Sequence, residues 1–203
     1  MVDKTRVLFI AADPVDVDSS KLNEEIQEVE QHIRTPGFLE AFDLTSKWAL
    51  RSQDLIQAFQ DVRPDIVHIS GHRCRMSEFV LEDARGIAKP VSESALTELF
   101  SHAKDNARLV LLNMCHSGHL AKAISNVIDC AIGINQRIDD KEAVVFSSQF
   151  YGALALGQSV RNSFEQGRTA LMVDGIPEEK TPMLFIRPGA DALQISFSNH
   201  KSN

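Results

Sequence analysis

At 203 residues, 43% of them hydrophobic and 24% charged, the chain has room for one α/β domain with a proper core and too little for two. A net charge of −7 and a pI near 5.5 argue against nucleic acid as the main partner, because phosphate contacts need clustered Lys and Arg. No apolar run reaches membrane-span length, no signal-peptide core follows Met1, and three cysteines without framework spacing fit a reducing compartment. A cytoplasmic location without membrane contact is expected.

Residues 6–12 (RVLFIAA) are a short apolar run that stops at Asp13-Pro14, a buried first strand with its loop. Ser19 and Ser20, followed by Asn23-Glu24-Glu25, mark a helix start with carboxylates in its first turn, where they complement the helix dipole. Leu22, Ile26, Val29 and Ile33 keep helical spacing until Pro36-Gly37. Residues 38–46 give a weaker strand signal with Phe42 and Leu44 on one face. Ser52-Gln53-Asp54 opens a helix through Leu55, Ile56 and Phe59 that closes before Pro64. Residues 65–70 then read as a second buried strand leading to His72.

Residues 78–82 and 87–91 read as a small hairpin, and 92–101 as a helix. A third buried strand over 108–113 runs into Cys115. Helices are expected at 117–127, 140–156 and 160–173, strands at 128–134 and at 183–186, between Pro182 and Arg187-Pro188. Alternating strands and helices indicate an α/β fold with a mostly parallel sheet and helices on both faces. A single domain is expected over 1–189, with a polar, loosely held tail over 190–203. Internal repeats and low-complexity segments are absent from the sequence.

Chemistry in such sheets sits outside the carboxyl ends of the strands, at a switch point of strand order. Two apolar runs break there into small-residue turns: Ile66-Val67-His68-Ile69-Ser70-Gly71-His72 and Leu111-Leu112-Asn113-Met114-Cys115-His116-Ser117-Gly118. A thiol is a weak nucleophile until a base takes its proton. His72 and Cys115 at neighbouring strand ends therefore form a candidate acyl-transfer pair.

At these residues the sequence resembles the CHAT family, caspase-like domains in the clan of caspases, metacaspases and separases. Residues 64–72 (PDIVHISGH) are similar to the family's histidine motif and 111–117 (LLNMCHS) to its cysteine motif. Residues 132–135 (IGIN), 143–151 (AVVFSSQFY), 157–160 (GQSV) and 164–167 (FEQG) follow in the family's order. The resemblance implies a caspase-like three-layer sandwich and a cysteine endopeptidase acting on a protein substrate, with no cofactor and no metal. Cys115 would be the nucleophile and His72 the base that later protonates the leaving amine. Backbone N–H groups at Cys115 and around the Gly71-Arg73 turn would hold the oxyanion, each typically contributing ~3–4 kcal/mol. A helix following Cys115 would favour its thiolate. Family members commonly serve bacterial defence or signalling beside sensor modules, so an activating protein partner is expected.

Arg73 departs from the pattern, since the family usually carries Gly after the motif histidine. A Cβ there restricts φ and crowds a substrate carbonyl, whereas the charges of Arg73 and Arg75 help to ionise Cys115. The alternative reading is a catalytically silent protein-interaction module. Asp139 and Asp140 have two compatible readings, an N-cap of the following helix or the floor of a substrate pocket that binds a basic residue. Separases place an Asp in a similar segment. Metacaspases carry an Asp two residues before the cysteine, and here that substrate-binding position is Asn113.

The remaining candidates have plainer readings. His68 lies within a strand and reads as a core histidine, Cys74 and Cys130 as structural or incidental, and His116 and His119 as loop or first-turn residues. His72, Cys74, Cys115 and His119 are potential zinc ligands but lack a paired Cys-x-x-Cys. Ser117 lacks the Gly-x-Ser-x-Gly elbow of serine hydrolases. A flavodoxin-like signalling domain would need an acidic phospho-acceptor cluster with a paired lysine, and the sequence has none.

Overall fold

Successive residues of a strand face opposite sides of its sheet, so a strand that is apolar throughout must be covered twice. The computed structural model describes residues 4–11, 20–33, 42–48, 50–71, 79–83, 87–136, 139–177 and 182–197. Its elements in chain order are β1 (Thr5–Ala11), α1 (Ser20–Ile33), β2 (Phe42–Trp48), α2 (Ser52–Val62) and β3 (Ile66–Ser70). There follow β4 (Phe79–Glu82), β5 (Ala88–Val91), α3 (Glu93–Ala103), β6 (Leu109–Asn113) and α4 (Gly118–Ile124). The chain continues with β7 (Cys130–Gly133), α5 (Asp140–Ala155), α6 (Val160–Val173) and β8 (Met183–Ile186).

Six strands form the main sheet in the order β2-β1-β3-β6-β7-β8. All neighbours run parallel except β8, which is antiparallel to β7. Strand order reverses between β1 and β3, so β3, the strand leading to His72, borders the switch point and β6 lies next to it. β4 and β5 pair separately as the expected antiparallel hairpin.

Leu8, Ile10, Val67, Ile69, Val110 and Leu112 face α2, α3, α4 and the hairpin. Val7, Ile66, Leu109, Leu111 and Ile132 face the other layer, where Val29 of α1, Phe146 and Phe150 of α5 and Phe164 of α6 close over them. The result is a three-layer α/β sandwich.

Three local expectations are corrected. The helix expected at 117–127 is shorter, because the chain leaves α4 in a turn after Ile124. Glu24 and Glu25 lie in the second turn of α1 rather than its first, since that helix already begins at Ser20. The tail is not loosely held in its described part, residues 190–197. Ala192 and Ile195 are buried in the second core layer. Their carbonyls accept from Arg161 N at 3.1 Å and Val160 N at 2.8 Å, two donors at the start of α6 that have no partner within the helix. The breaks at Asp13-Pro14 and Pro36-Gly37 lie outside the described residues.

Candidate active site

β6 ends at Asn113 and gives way to the turn Met114-Cys115-His116-Ser117, from which α4 starts. Ser117 ties this turn to the sheet. Its buried Oγ lies 3.0 Å from Leu112 O and 2.7 Å from Met114 O as donor, and accepts from Ile134 N at 3.0 Å. Gly118 N adds a bond to Ile134 O at 3.1 Å. His116 takes a left-handed conformation, φ 57°, and its Nδ1 lies 3.0 Å from Asn135 O. Cys115 packs on Ile134 and is 8% exposed.

The cysteines differ in setting. Cys130 is a free thiol within β7, and burial, reinforced by the charge of Asp129, pushes it up to about 12. Cys115 stands instead at a strand end, in the turn after β6.

β3 ends beside β6, with Ser70 and Asn113 in register and Gly71 N donating to Asn113 O at 3.3 Å. His72 follows directly in sequence; His72, Arg73, Cys74 and Arg75 lie outside the described residues. The structure thus gives the two strand ends that feed the proposed pair, with Gly71 at the lip of one.

Beneath these ends lies a polar cluster inside an otherwise apolar layer. Glu25 of α1 is fully buried. Its Oε2 accepts from Ser70 Oγ at 2.5 Å, and its Oε1 from Ser147 Oγ of α5 at 2.8 Å and from Asn113 Nδ2. His68 Nε2 stands 3.2 Å from Oε1, and its Nδ1 is 3.4 Å from Tyr151 OH, with the two rings stacked. Burial alone would push the Glu25 carboxyl up. The charge and hydrogen bond of His68, with hydrogen bonds from Ser70 and Asn113, outweigh this and hold it at about 2. Tyr151 is pushed well up by burial and by the Glu25 charge.

Sequence reasoning missed Glu25, although a signal exists. Glu25 falls between Leu22 and Ile26-Val29, on the apolar stripe rather than the polar face of α1. His68 is the core residue expected, but its partner is a buried carboxylate. Asn113 is 4% exposed; its Nδ2 also reaches Ser147 Oγ at 3.1 Å and Ala143 O at 3.4 Å, and its Oδ1 has no hydrogen-bond partner among the described residues.

Asp139 is exposed and forms the N-cap of α5, where its backbone N–H donates to Glu142 Oε2 at 2.9 Å in a capping box. Asp140 is the first residue of that helix. His119 sits on α4 with Nε2 3.8 Å from Glu93 Oε2. Among the described residues no group of three or more His, Cys, Asp or Glu is arranged to hold a metal, and no helix is long and apolar enough to cross a membrane.

No family model matches the chain. Among solved structures it is similar to a secreted C11 cysteine protease from Bacteroides thetaiotaomicron in complex with an irreversible peptide inhibitor. That likeness has a TM-score of 0.61 at 12% identity and covers 91% of this chain and 66% of the other. A second structure of a secreted C11 cysteine protease from that organism, "iotapain", gives a TM-score of 0.53 at 12% identity over 75% of this chain and 58% of the other. The sheet and this likeness define a caspase-like α/β domain. Among curated proteins, the chain is 24% identical over 139 residues to a Roc-COR-CHAT protease from an unidentified prokaryote, covering 66% of this chain and 13% of that protein. It is 22% identical over 153 residues to a probable protease of Gillisia limnaea, covering 74% of this chain and 27% of that protein. Within the caspase-like class, these curated relatives support a likeness to the CHAT family. The chain spans about an eighth and about a quarter of the length of these two curated relatives.

Proposed function

We propose that this chain is a cysteine endopeptidase domain acting on a protein substrate through Cys115 and His72. The observation that carries the reading is the placement of Cys115. It sits in a tight turn at the carboxyl end of β6, beside the strand that leads into His72, in a fold shared with a C11 cysteine protease. In the reaction His72 accepts the thiol proton and the Cys115 sulfur attacks the scissile carbonyl. The tetrahedral intermediate then expels the amine, which leaves with the proton from His72, and water hydrolyses the thioester. Backbone N–H groups of the Cys115 turn and the Gly71-Arg73 segment serve the oxyanion, and Asp139, Asp140 and Asn113 are the substrate-binding candidates. Cleavage after a basic residue, a cytoplasmic setting, bacterial defence or signalling, and activation by a partner protein extend the same reading. The matched region makes up only 13% of the Roc-COR-CHAT relative, which supports control by other modules.

The free thiol is the acting form of Cys115. The test is labelling of the reduced protein by a peptide bearing an acyloxymethyl ketone, with mass spectrometry of the adduct. Wild type forms an adduct at Cys115, Cys115→Ala forms none, and His72→Ala labels several orders of magnitude more slowly. A reduced wild type that neither labels nor cleaves a co-expressed partner is instead the silent interaction module, for which Arg73 is the sequence mark.

A further inference from the structure

Strand β3 leads into His72 and strand β6 into Cys115, and the last residue of each strand sends a side chain to one carboxylate. Ser70 Oγ donates to Glu25 Oε2 at 2.5 Å, and Asn113 Nδ2 donates to Glu25 Oε1. Ser70 and Asn113 are register partners across the two strands, so Glu25 spans the strand ends two residues before each member of the proposed pair. We propose that Glu25 is a positioning residue that fixes the β3 and β6 ends against each other, and with them the alignment of His72 and Cys115. The inference rests on the peptidase reading above.

Three features favour positioning over ordinary core stability. An ionised carboxylate buried between α1 and the sheet is a poor stabiliser compared with a leucine filling the same space, since it gives up its hydration. A buried carboxylate that accepts hydrogen bonds on both oxygens instead selects one arrangement of the groups around it. The donors on this carboxylate also come from three separate elements, β3, β6 and α5, so it reports on their mutual placement and not on one local turn. Among the described residues, His68, from within β3, and Tyr151, from α5, are the other titratable groups around it.

Ser70 and Ser147 provide an internal comparison. Each donates a hydroxyl to Glu25, but removing Ser147 leaves both strand ends tied to the carboxylate, whereas removing Ser70 frees the end of β3. The experiment measures thermal melting, and separately the limiting rate and half-saturation of Cys115 labelling by the peptide electrophile, on reduced full-length wild type, Ser70→Ala, Ser147→Ala and Glu25→Gln. Positioning predicts that Ser70→Ala lowers the limiting rate about tenfold while half-saturation moves less than about threefold. Ser147→Ala, at a similar loss of melting temperature, changes the rate less than about threefold. Folded Glu25→Gln loses at least about thirtyfold in the limiting rate. If Ser70→Ala and Ser147→Ala slow labelling alike, in proportion to lost stability, the cluster only packs and the proposal is overturned. Should Glu25→Gln fail to fold, the serine pair alone decides. A wild type that does not label at all removes the peptidase reading, and this inference with it.

Discussion

At the scale of single residues, burial and charge assign different chemistry to groups of the same type. Cys130 lies within a strand at 0% exposure and is pushed up to about 12, so near neutral pH it is almost wholly thiol. Cys115 lies in a strand-end turn. Brief iodoacetamide treatment of the reduced native protein should therefore alkylate Cys115 and spare Cys130, as read by peptide mass spectrometry. Modification of Cys130 at an equal rate would contradict the burial argument. Glu25 makes a further difference visible. Its carboxyl sits at about 2, below its ordinary 4.5. A lowered folded value means that its stabilisation is present above the ordinary value and is lost as pH falls towards about 2. Between about pH 5 and about pH 3 wild type should therefore lose stability more steeply than Glu25→Gln, measured by urea denaturation at each pH. The Cys115 turn was legible in the sequence because a thiol flanked by an apolar strand and a small-residue turn is a local pattern. Glu25 was not, because its partners Ser70, Asn113 and Ser147 come from elements far apart in the chain, and an acidic residue near a helix start has a ready explanation in the dipole.

At the scale of elements, the close seat of α4 on β7 fixes how the Cys115 turn is presented. A Cβ at Gly133 would stand 2.8 Å from Ser117 O and 2.6 Å from the Ala121 Cβ. The first is backbone and the second a short, rigid side chain, so neither can swing aside. Gly133→Ala must push α4 outward, and the hydrogen bonds of Ser117 Oγ and Gly118 N to residue 134 stretch with it. Overpacking of this kind costs about 1–3 kcal/mol. Gly133→Ala should lower the melting temperature and slow Cys115 labelling as well, whereas an unchanged labelling rate would separate the helix seat from the site. Most elements could be read from periodicity. Val160–Val173 and Met183–Ile186 agree with the sequence at both ends, because Ser159 caps one and prolines bracket the other. α4 was overextended because residues 125–127 continue the apolar pattern, while turn bonds such as Asn126 N to Ala123 O end the regular helix.

At the scale of the whole molecule, the sheet and two helical layers leave one open question of closure, namely what covers the start of α6 and the adjoining core. Composition suggested nothing there, since the segment after Gly189 is polar on average. Averages conceal spacing. Ala192 and Ile195 are 1% exposed each, Phe197 packs on the same cluster, and Thr5 Oγ1 donates to Phe197 O at 2.5 Å, joining this segment to the first strand. Val160 N and Arg161 N, the first two donors of α6, have their acceptors on it. Truncation after Gly189 would expose apolar surface of α5 and α6 and strip both donors of their partners. Burying one isoleucine contributes about 1.5–3 kcal/mol and each hydrogen bond about 1 kcal/mol, so the loss should be about 3–5 kcal/mol. That is a large share of the stability of an ordinary domain. The truncated protein should melt several degrees lower than the full chain in a thermal scan. Because these contacts lie on the α5–α6 side of the sheet, whatever remains folded should still be alkylated at reduced Cys115. An unchanged melting temperature would mean that the segment rests on the domain without holding it together.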